Sequence, residues 1–159
     1  MLPTIEGTRL PELPWEYLTF EEMLDYYDGP RLMLQQTDGG ETYLAWWTDA
    51  DEHTDRWVHI RMGPERLRAI LSGEMPARAA FEEPEDGRLL VVDREAGAEQ
   101  PVGIVAAEPS AVPPDTLPMA EARLRVADTD DLLERMDGKR GDDGAHSRNE
   151  DADQPEGIR

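Results

Sequence analysis

Apolar and polar positions alternate along three consecutive segments in the first half of the chain. These segments are Arg31–Gln36, Thr42–Thr48 and Arg56–Met62. A period of two residues is typical of β-strands, because successive side chains of a strand point to opposite faces. The links between the segments are short, and Asp38-Gly39-Gly40 suits a hairpin turn because glycine adopts positive φ without strain. The pattern therefore predicts an antiparallel meander with sequential strand pairing.

Two further strands are predicted later in the chain. Leu89–Val92 is the most apolar run of the sequence, and Val102–Ala106 follows it across a polar loop. The two segments form a second predicted hairpin, which brings the predicted sheet to about five strands.

A first helix is predicted from Phe20 to about Tyr27. Thr19 and Glu22 have the spacing of a capping box, and apolar residues at helical spacing follow them. Asp28-Gly29-Pro30 supplies the residues that commonly end a helix.

Two more helices are predicted between the meander and the second hairpin. One covers residues 65–72, where Pro64 suits the first helical turn and Ser72-Gly73 ends the apolar spacing. The other is the short segment Pro76–Glu83. The predicted fold class is therefore α+β, with an antiparallel meander sheet and two or three short helices.

The chain divides into three predicted regions. Residues 1–12 form an irregular N-terminal arm, rich in proline, which can continue across the body through Leu13, Trp15 and Leu18. Residues 13–126 form the α+β domain and end with an extended piece, Ala122–Val126. Residues 127–159 form an acidic tail that is mostly disordered, with a short helix over 130–137, because the tail lacks the apolar surface needed to offset its ordering entropy.

Both faces of the predicted meander carry apolar side chains. Because Tyr and Trp are typical interface anchors, the aromatic second face is the candidate partner-binding site unless the predicted helices 20–27 and 65–72 pack over it. The candidate partner-binding residues are Tyr43, Trp47, Trp57 and His59. The first face consists of Leu32, Leu34, Leu44, Trp46, Val58 and Ile60, and the second face of Met33, Tyr43, Trp47, Trp57 and His59.

The acidic link between the second and third strands has the residue types of a cation site. Asp49, Asp51 and Asp55 alternate along it, but His53 and Ile60 stand where an EF-hand loop requires an oxygen ligand and a glutamate. A solvated hairpin loop is the preferred interpretation, and the three aspartates remain weak candidates for Ca²⁺ or Mg²⁺.

The sequence contains no motif of a known catalytic or cofactor site. There is no P-loop, dinucleotide fingerprint or nucleophile elbow, and cysteine is absent. We therefore expect no cofactor and no catalytic residue, although His59 could act as a general base if it were buried beside a carboxylate.

Charge sets the expected environment of the protein. The net charge is -20, and 15 of the 16 basic residues are arginine, with Lys139 as the one lysine. Residues 1–107 carry 22 acidic and 9 basic residues, so the acidity extends over the domain as well as the tail. This favours a halophilic origin, since a GC-rich genome alone would explain the arginine but not the excess of acid.

The same composition limits the partners. Direct binding to nucleic acid is disfavoured because no basic stripe offsets the negative field. No run approaches the roughly 18 apolar residues of a membrane span, and the N-terminus lacks the features of a signal peptide. A cytoplasmic protein with a protein partner is expected.

Several phrases of the sequence resemble a small family of bacterial and archaeal domains of unknown function. They are LTFEEMLDYYDGPRL, YLAWWTDADEHTDRWVHIRMGPERLRAILSGEMPARAAFEEPEDG and PPDTLP. The resemblance extends from Tyr17 to about Val126. It implies the boundaries of the domain and no catalytic or binding residue.

Three functions are compatible with these features. The leading hypothesis is a non-enzymatic cytoplasmic interaction or regulatory module that uses the aromatic face. The first alternative is an acidic nucleic-acid mimic that binds a basic DNA-binding protein. The second alternative is an enzyme that depends on a carboxylate or on His59.

Overall fold

The computed structural model describes residues 2–26, 30–121, 123–124 and 128–136. These residues belong to two compact units, one ending at Ala127 and the other beginning at Asp128. The first unit contains a β-sheet and two α-helices, and the second contains one helix. The fold class is α+β, as the sequence predicts.

Seven strands form one antiparallel sheet within the described residues. They are β1 (Thr8–Arg9), β2 (Leu18–Tyr26), β3 (Pro30–Thr37), β4 (Thr42–Ala50), β5 (Thr54–Arg61), β6 (Leu89–Glu95) and β7 (Gly103–Ala107). Their order across the sheet is β1-β7-β6-β5-β4-β3-β2, so each of β2 to β7 lies beside its neighbour in sequence. The prediction of about five strands was too low, because it omitted β1 and β2.

The predicted helix over Phe20–Tyr27 is wrong, because Leu18–Tyr26 is the edge strand β2. The hydroxyl of Thr19, expected to cap a helix, instead donates across the strands to the carbonyl oxygens of Gln36 and Thr37, at 3.4 Å each. Pairing with β3 extends along the segment from Leu18 to Tyr26. Three register shifts interrupt this pairing and bend the edge strand.

The N-terminal arm contributes the other strand that the sequence pattern missed. Thr8 and Arg9 pair with Ala106 and Val105 at the free edge of β7. Gly7 precedes them and packs so closely on this edge that an added Cβ would lie 2.4 Å from the Ala106 carbonyl oxygen. The arm therefore extends the sheet before it crosses the second face.

The register confirms the predicted division of the meander into two faces. Leu34 lies opposite Leu44, and Leu44 lies opposite Ile60, so these residues share the first face. Trp47 lies opposite Trp57 on the second face. The leucines and β-branched residues of the first face are fully buried and form the centre of the core.

Two helices and the segment that follows β7 supply further buried side chains of the first unit. The helices are α1 (Pro64–Ser72) and α2 (Ala77–Glu82), close to the predicted bounds. The carbonyl oxygen of Thr116 accepts hydrogen bonds from Trp46 Nε1 at 2.7 Å and from Thr48 Oγ1 at 3.0 Å. Because Arg78 of α2 donates to the Pro118 carbonyl oxygen, α2 and this segment lie together over the first face.

Helix α1 ends at Gly73, where the chain needs a residue without a side chain. The φ of Gly73 is +84°, and its amide donates to the carbonyl oxygen of Ile70. An added Cβ would lie 2.7 Å from the carbonyl oxygen of Leu124. Glycine is therefore required at this position both by the backbone conformation and by close packing.

The second unit contains helix α3, which covers residues 129–136. The carboxylate of Asp128 accepts a hydrogen bond from the Asp131 amide, so Asp128 caps this helix, which begins one residue before the predicted start at 130. The predicted acidic tail beyond residue 136 and most of the predicted extended piece 122–126 lie outside the described residues. No helix in the described part of the chain is long and apolar enough to cross a membrane.

Candidate functional site

The N-terminal arm, and not a helix, covers the second face of the sheet. Leu10, Leu13 and Trp15 pack against a buried apolar cluster at the end of the sheet where β6 and β7 pair. The cluster consists of Leu90, Val92 and Ile104. The sequence offered two alternatives for this face, helices or solvent, and the structure shows a third.

Trp15 is the part of the arm that reaches the candidate partner-binding residues. Its ring lies 4.8 Å from the ring of Tyr43 and 5.4 Å from that of His59, tilted by 52° and 56° respectively. Such tilted contacts are favourable for aromatic rings. Tyr43 and His59 are buried as a result, and burial raises the pKa of the Tyr43 hydroxyl.

The arm is held by hydrogen bonds at its two ends and by side chains between them. At one end Leu10 donates from its amide to the carbonyl oxygen of Ile104 at 2.9 Å. At the other end the Asp38 amide donates to the Tyr17 carbonyl oxygen at 3.0 Å. Across residues 11–15 the described structure records no backbone hydrogen bond to the sheet, and two of these residues are proline.

The first residues of the arm are anchored by a buried arginine. Arg56 is 6% exposed and binds both carboxylate oxygens of Asp93, at 2.7 and 2.9 Å. Its remaining nitrogen donates to the carbonyl oxygen of Pro3 at 2.6 Å. This bidentate pair ties the start of the arm to the paired strands β5 and β6.

The structure brings the four candidate partner-binding residues onto one face, but in two environments. Tyr43 and His59 lie beneath Trp15, whereas Trp47 and Trp57 are half-buried. Trp57 also lines a cavity of about 320 Å³ between the arm and the sheet.

This cavity has an apolar part and a polar part. The apolar part is formed by Trp15, Leu18, Met33 and Trp57, and the polar part by Glu21, Gln35, His59 and Arg94. Both strand β2 and the arm contribute, so the cavity exists only because residues 18–26 form a strand and residues 10–15 cross the face. A larger groove of about 1070 Å³ runs along the arm and shares Trp15, Leu18 and Arg94 with it.

A chain of hydrogen bonds fixes the polar part of the cavity. Gln35 Nε2 donates to Glu21 Oε2 at 2.8 Å, since a carboxylate oxygen can only accept. The amide oxygen of Gln35 therefore faces His59, and the Nδ1 atom of His59 lies 3.1 Å from it. Nδ1 must carry the proton to donate to an amide oxygen, so the neutral ring keeps Nε2 as an acceptor.

His59 is neutral at physiological pH. Burial lowers its pKa to about 3, and the nearby positive charge of Arg94 acts in the same direction. Such a histidine is a weak base and a poor candidate for general acid–base catalysis near neutrality. The arrangement provides a fixed hydrogen-bond acceptor in an apolar setting.

The acidic loop between β4 and β5 has a structural role. Asp51 Oδ1 accepts from the amides of His53 at 2.9 Å and Thr54 at 2.8 Å, and these backbone hydrogen bonds lower the pKa of Asp51. Asp49 Oδ1 accepts from the neighbouring Ala50 amide. Within the described ranges no three acidic or histidine side chains, Asp49, Asp51 and Asp55 included, converge as a metal site.

Six residues of the cavity were not among the candidates from sequence. They are Trp15, Leu18, Glu21, Met33, Gln35 and Arg94. Three of them lie on segments given other roles, Trp15 and Leu18 on the path of the arm and Glu21 in the predicted helix 20–27. Gln35 carried a usable signal, because an amide at an inward position of a strand needs a buried partner.

Residues 15–111 match a family of unknown function (DUF6575), and the chain belongs to this family. The matched stretch begins at Trp15 and contains strands β2 to β7, so it includes all eight residues that line the smaller cavity. No curated protein and no solved structure matches the chain.

Proposed function

We propose that this protein is a non-enzymatic interaction module whose second sheet face binds an extended apolar segment of a partner protein in place of its own arm. The observation that carries the proposal is the seating of Trp15 on Tyr43 and His59. A proline-containing stretch of the chain already occupies this face through Leu13 and Trp15 side chains. The face therefore has the shape and chemistry of a site for such a segment.

The arm is suited to exchange with a competing segment. Residues 11–15 make no backbone hydrogen bond within the described part of the chain, so the arm can leave the face without breaking the pairing of strands β2 to β7. Partial burial of three side chains, Leu10, Leu13 and Trp15, contributes roughly 3–5 kcal/mol. A segment stabilised by so small a free energy opens locally far more often than the whole domain unfolds.

The partner segment is defined by what it must replace. It needs one aromatic side chain for the position above Tyr43 and His59 and one aliphatic side chain for the position of Leu13. The positions of Leu13 and Trp15 contact apolar and aromatic side chains, so binding through these positions should persist at high salt. An acidic nucleic-acid mimic would behave differently, because its affinity for a basic partner falls steeply with salt.

The direct test supplies the arm as a separate peptide. A fluorescently labelled peptide with the sequence of residues 8–18, TRLPELPWEYL, is titrated into the full chain carrying Leu13→Ala and Trp15→Ala, and anisotropy is measured. We expect saturable binding to this variant and much weaker binding to the wild type, whose own arm occupies the face. The control is the same peptide with alanine at the positions of Leu13 and Trp15.

The outcomes separate the candidate functions. Equal binding of the two peptides, or no saturable binding to the variant, would refute the proposed face. With cell lysate, a partner that uses the face is captured more by the double variant than by the wild type, at low and high salt alike. A partner of an acidic mimic would be captured equally by both and released by salt.

A further inference from the structure

We propose that the cavity of about 320 Å³ between Trp15 and the sheet binds a small planar aromatic acid that carries an N–H or O–H donor. This goes beyond partner binding and does not depend on it, because Trp15 must be seated for the cavity to exist. The ligand class follows from three features of the lining.

The first feature is the pair of indole rings. Trp15 and Trp57 both line the cavity, together with Leu18 and Met33. Aromatic rings with aliphatic and thioether neighbours favour a flat, polarisable ligand. The volume lies at the lower end of the range for small-molecule sites, which fits a fused two-ring body better than a larger cofactor.

The second feature is an acceptor held in place by its neighbours. The hydrogen bonds that link Glu21, Gln35 and His59 assign the proton of His59 to Nδ1. His59 lines the cavity, and its Nε2 makes no hydrogen bond to any described residue. A ligand with an N–H or O–H donor would give this acceptor a partner.

The third feature is a cation that lacks an ion pair. Arg94 makes no ion pair with any described residue. Its guanidinium has one long contact, 3.5 Å to the Glu99 carbonyl oxygen, and it lines both the cavity and the adjoining groove. The carboxylate of the nearby Glu21 is bound to Gln35 instead. A ligand carboxylate would form a bidentate ion pair with the guanidinium of Arg94.

The test uses a series of indole probes on the wild-type chain. Indole-3-acetate has the ring, the donor and the acid. 1-Methylindole-3-acetate lacks only the donor, and tryptamine replaces the acid by an amine. Binding is measured by calorimetry, and saturation-transfer NMR checks that the ring protons contact the protein.

We expect indole-3-acetate to bind saturably. Loss of the donor should weaken binding about tenfold, the usual effect of one hydrogen bond to a buried group, and tryptamine should bind at least tenfold more weakly. Equal binding of all three probes, or no saturable binding at millimolar concentration, would overturn the proposal.

Variants of the full chain assign the contacts. Arg94→Gln should weaken indole-3-acetate about tenfold and leave the binding of uncharged indole unchanged. Arg88→Gln makes the same charge change at an exposed arginine outside the cavity, so it should leave both affinities as in the wild type. Equal effects of the two variants would show general electrostatics and refute the site.

The same probe distinguishes this site from the proposed function. A ligand that uses Trp15 as a wall stabilises the seated arm, so saturating indole-3-acetate should slow hydrogen exchange at the Leu10 amide. If the arm peptide fails to bind in trans but indole-3-acetate binds with this protection, the partner proposal fails and the ligand site stands. If the peptide binds and no probe does, the reverse holds.

Discussion

Lowering the pH should destabilise the protein through the buried neutral His59. Burial and Arg94 lower the pKa of this histidine to about 3 in the folded chain, while an unfolded chain has a value near 6.5. Between these values the unfolded state binds a proton and the folded state does not. The stabilising contribution is therefore complete above about pH 6.5 and is lost progressively as the pH falls toward 3.

The expected magnitude follows from the linkage relation. Each pH unit in this window changes the free energy of unfolding by roughly 1.4 kcal/mol, so a decrease from pH 6.5 to pH 5 should cost roughly 2 kcal/mol. For a domain of ordinary stability, roughly 5–15 kcal/mol, this is a measurable fraction. This decrease in the free energy of unfolding begins at a pH where ordinary carboxylates are still mostly ionised.

Urea unfolding curves between about pH 5 and pH 8 measure this effect. His59→Asn is the matched variant, because the asparagine amide can donate to Gln35 as Nδ1 does but has no proton to bind. We expect the wild type to lose roughly 2 kcal/mol more than the variant between pH 6.5 and pH 5. All other titrating groups are common to both chains and cancel in the difference. Parallel pH profiles for the two proteins would refute the burial of a neutral His59.

Two further substitutions test how the arm and α1 are held. Arg56→Met leaves the carboxylate of Asp93 without its buried partner and should lower the free energy of unfolding by roughly 3 kcal/mol, measured in urea. The control is Arg135→Met, which removes an exposed ion pair and should lower it by less than about 1 kcal/mol. Gly73→Ala should lower the thermal stability more than Gly97→Ala. Both glycines have positive φ, but only at Gly73 would the new Cβ lie 2.7 Å from a carbonyl oxygen. Equal costs within either pair would contradict the packing described.

The central meander could be predicted because its signals are redundant. Strands β3, β4 and β5 alternate regularly, and the turn residues Gly39 and Gly40 fix the register between the first two of them. A shift by one residue would move Leu34 and Leu44 from the buried first face to the second face. Pattern and turn chemistry therefore agree with the tertiary structure, and the two faces follow from them.

The edge strand β2 could not be predicted because its local signals conflict with its long-range pairing. Thr19 and Glu22 have the spacing of a capping box, and a capping hydrogen bond stabilises a helix by about 1 kcal/mol. Pairing along β3 extends from Leu18 to Tyr26 and brings Glu21 opposite Gln35. Nonlocal pairing of this kind overrides a local preference, and it has no signature within residues 18–26 themselves.

The composition of the second face was predicted in part, for a related reason. Tyr43 and His59 could be placed on one face by alternation alone, but alternation does not show what covers that face. Trp15 lies in a proline-containing stretch with no period, so its position depends on anchors at Leu10 and Tyr17 that only the folded chain reveals. Tyr43 and His59 therefore lie on one face, as alternation predicts. The sequence did not show that the N-terminal arm covers this face and forms one wall of the cavity.

The acidity of the chain and the chemistry of the cavity describe different parts of the molecule. Arg56 is paired with Asp93, whereas Arg94, like the exposed Arg88, makes no ion pair with any described residue. Arg94 differs from Arg88 in its position, since it lines the cavity beside the neutral His59. A cation without an ion pair has a stronger field toward an incoming anion than a paired one. The position of Arg94 therefore directs attention to an acidic ligand of small size, which can enter a cavity that a large polyanion cannot.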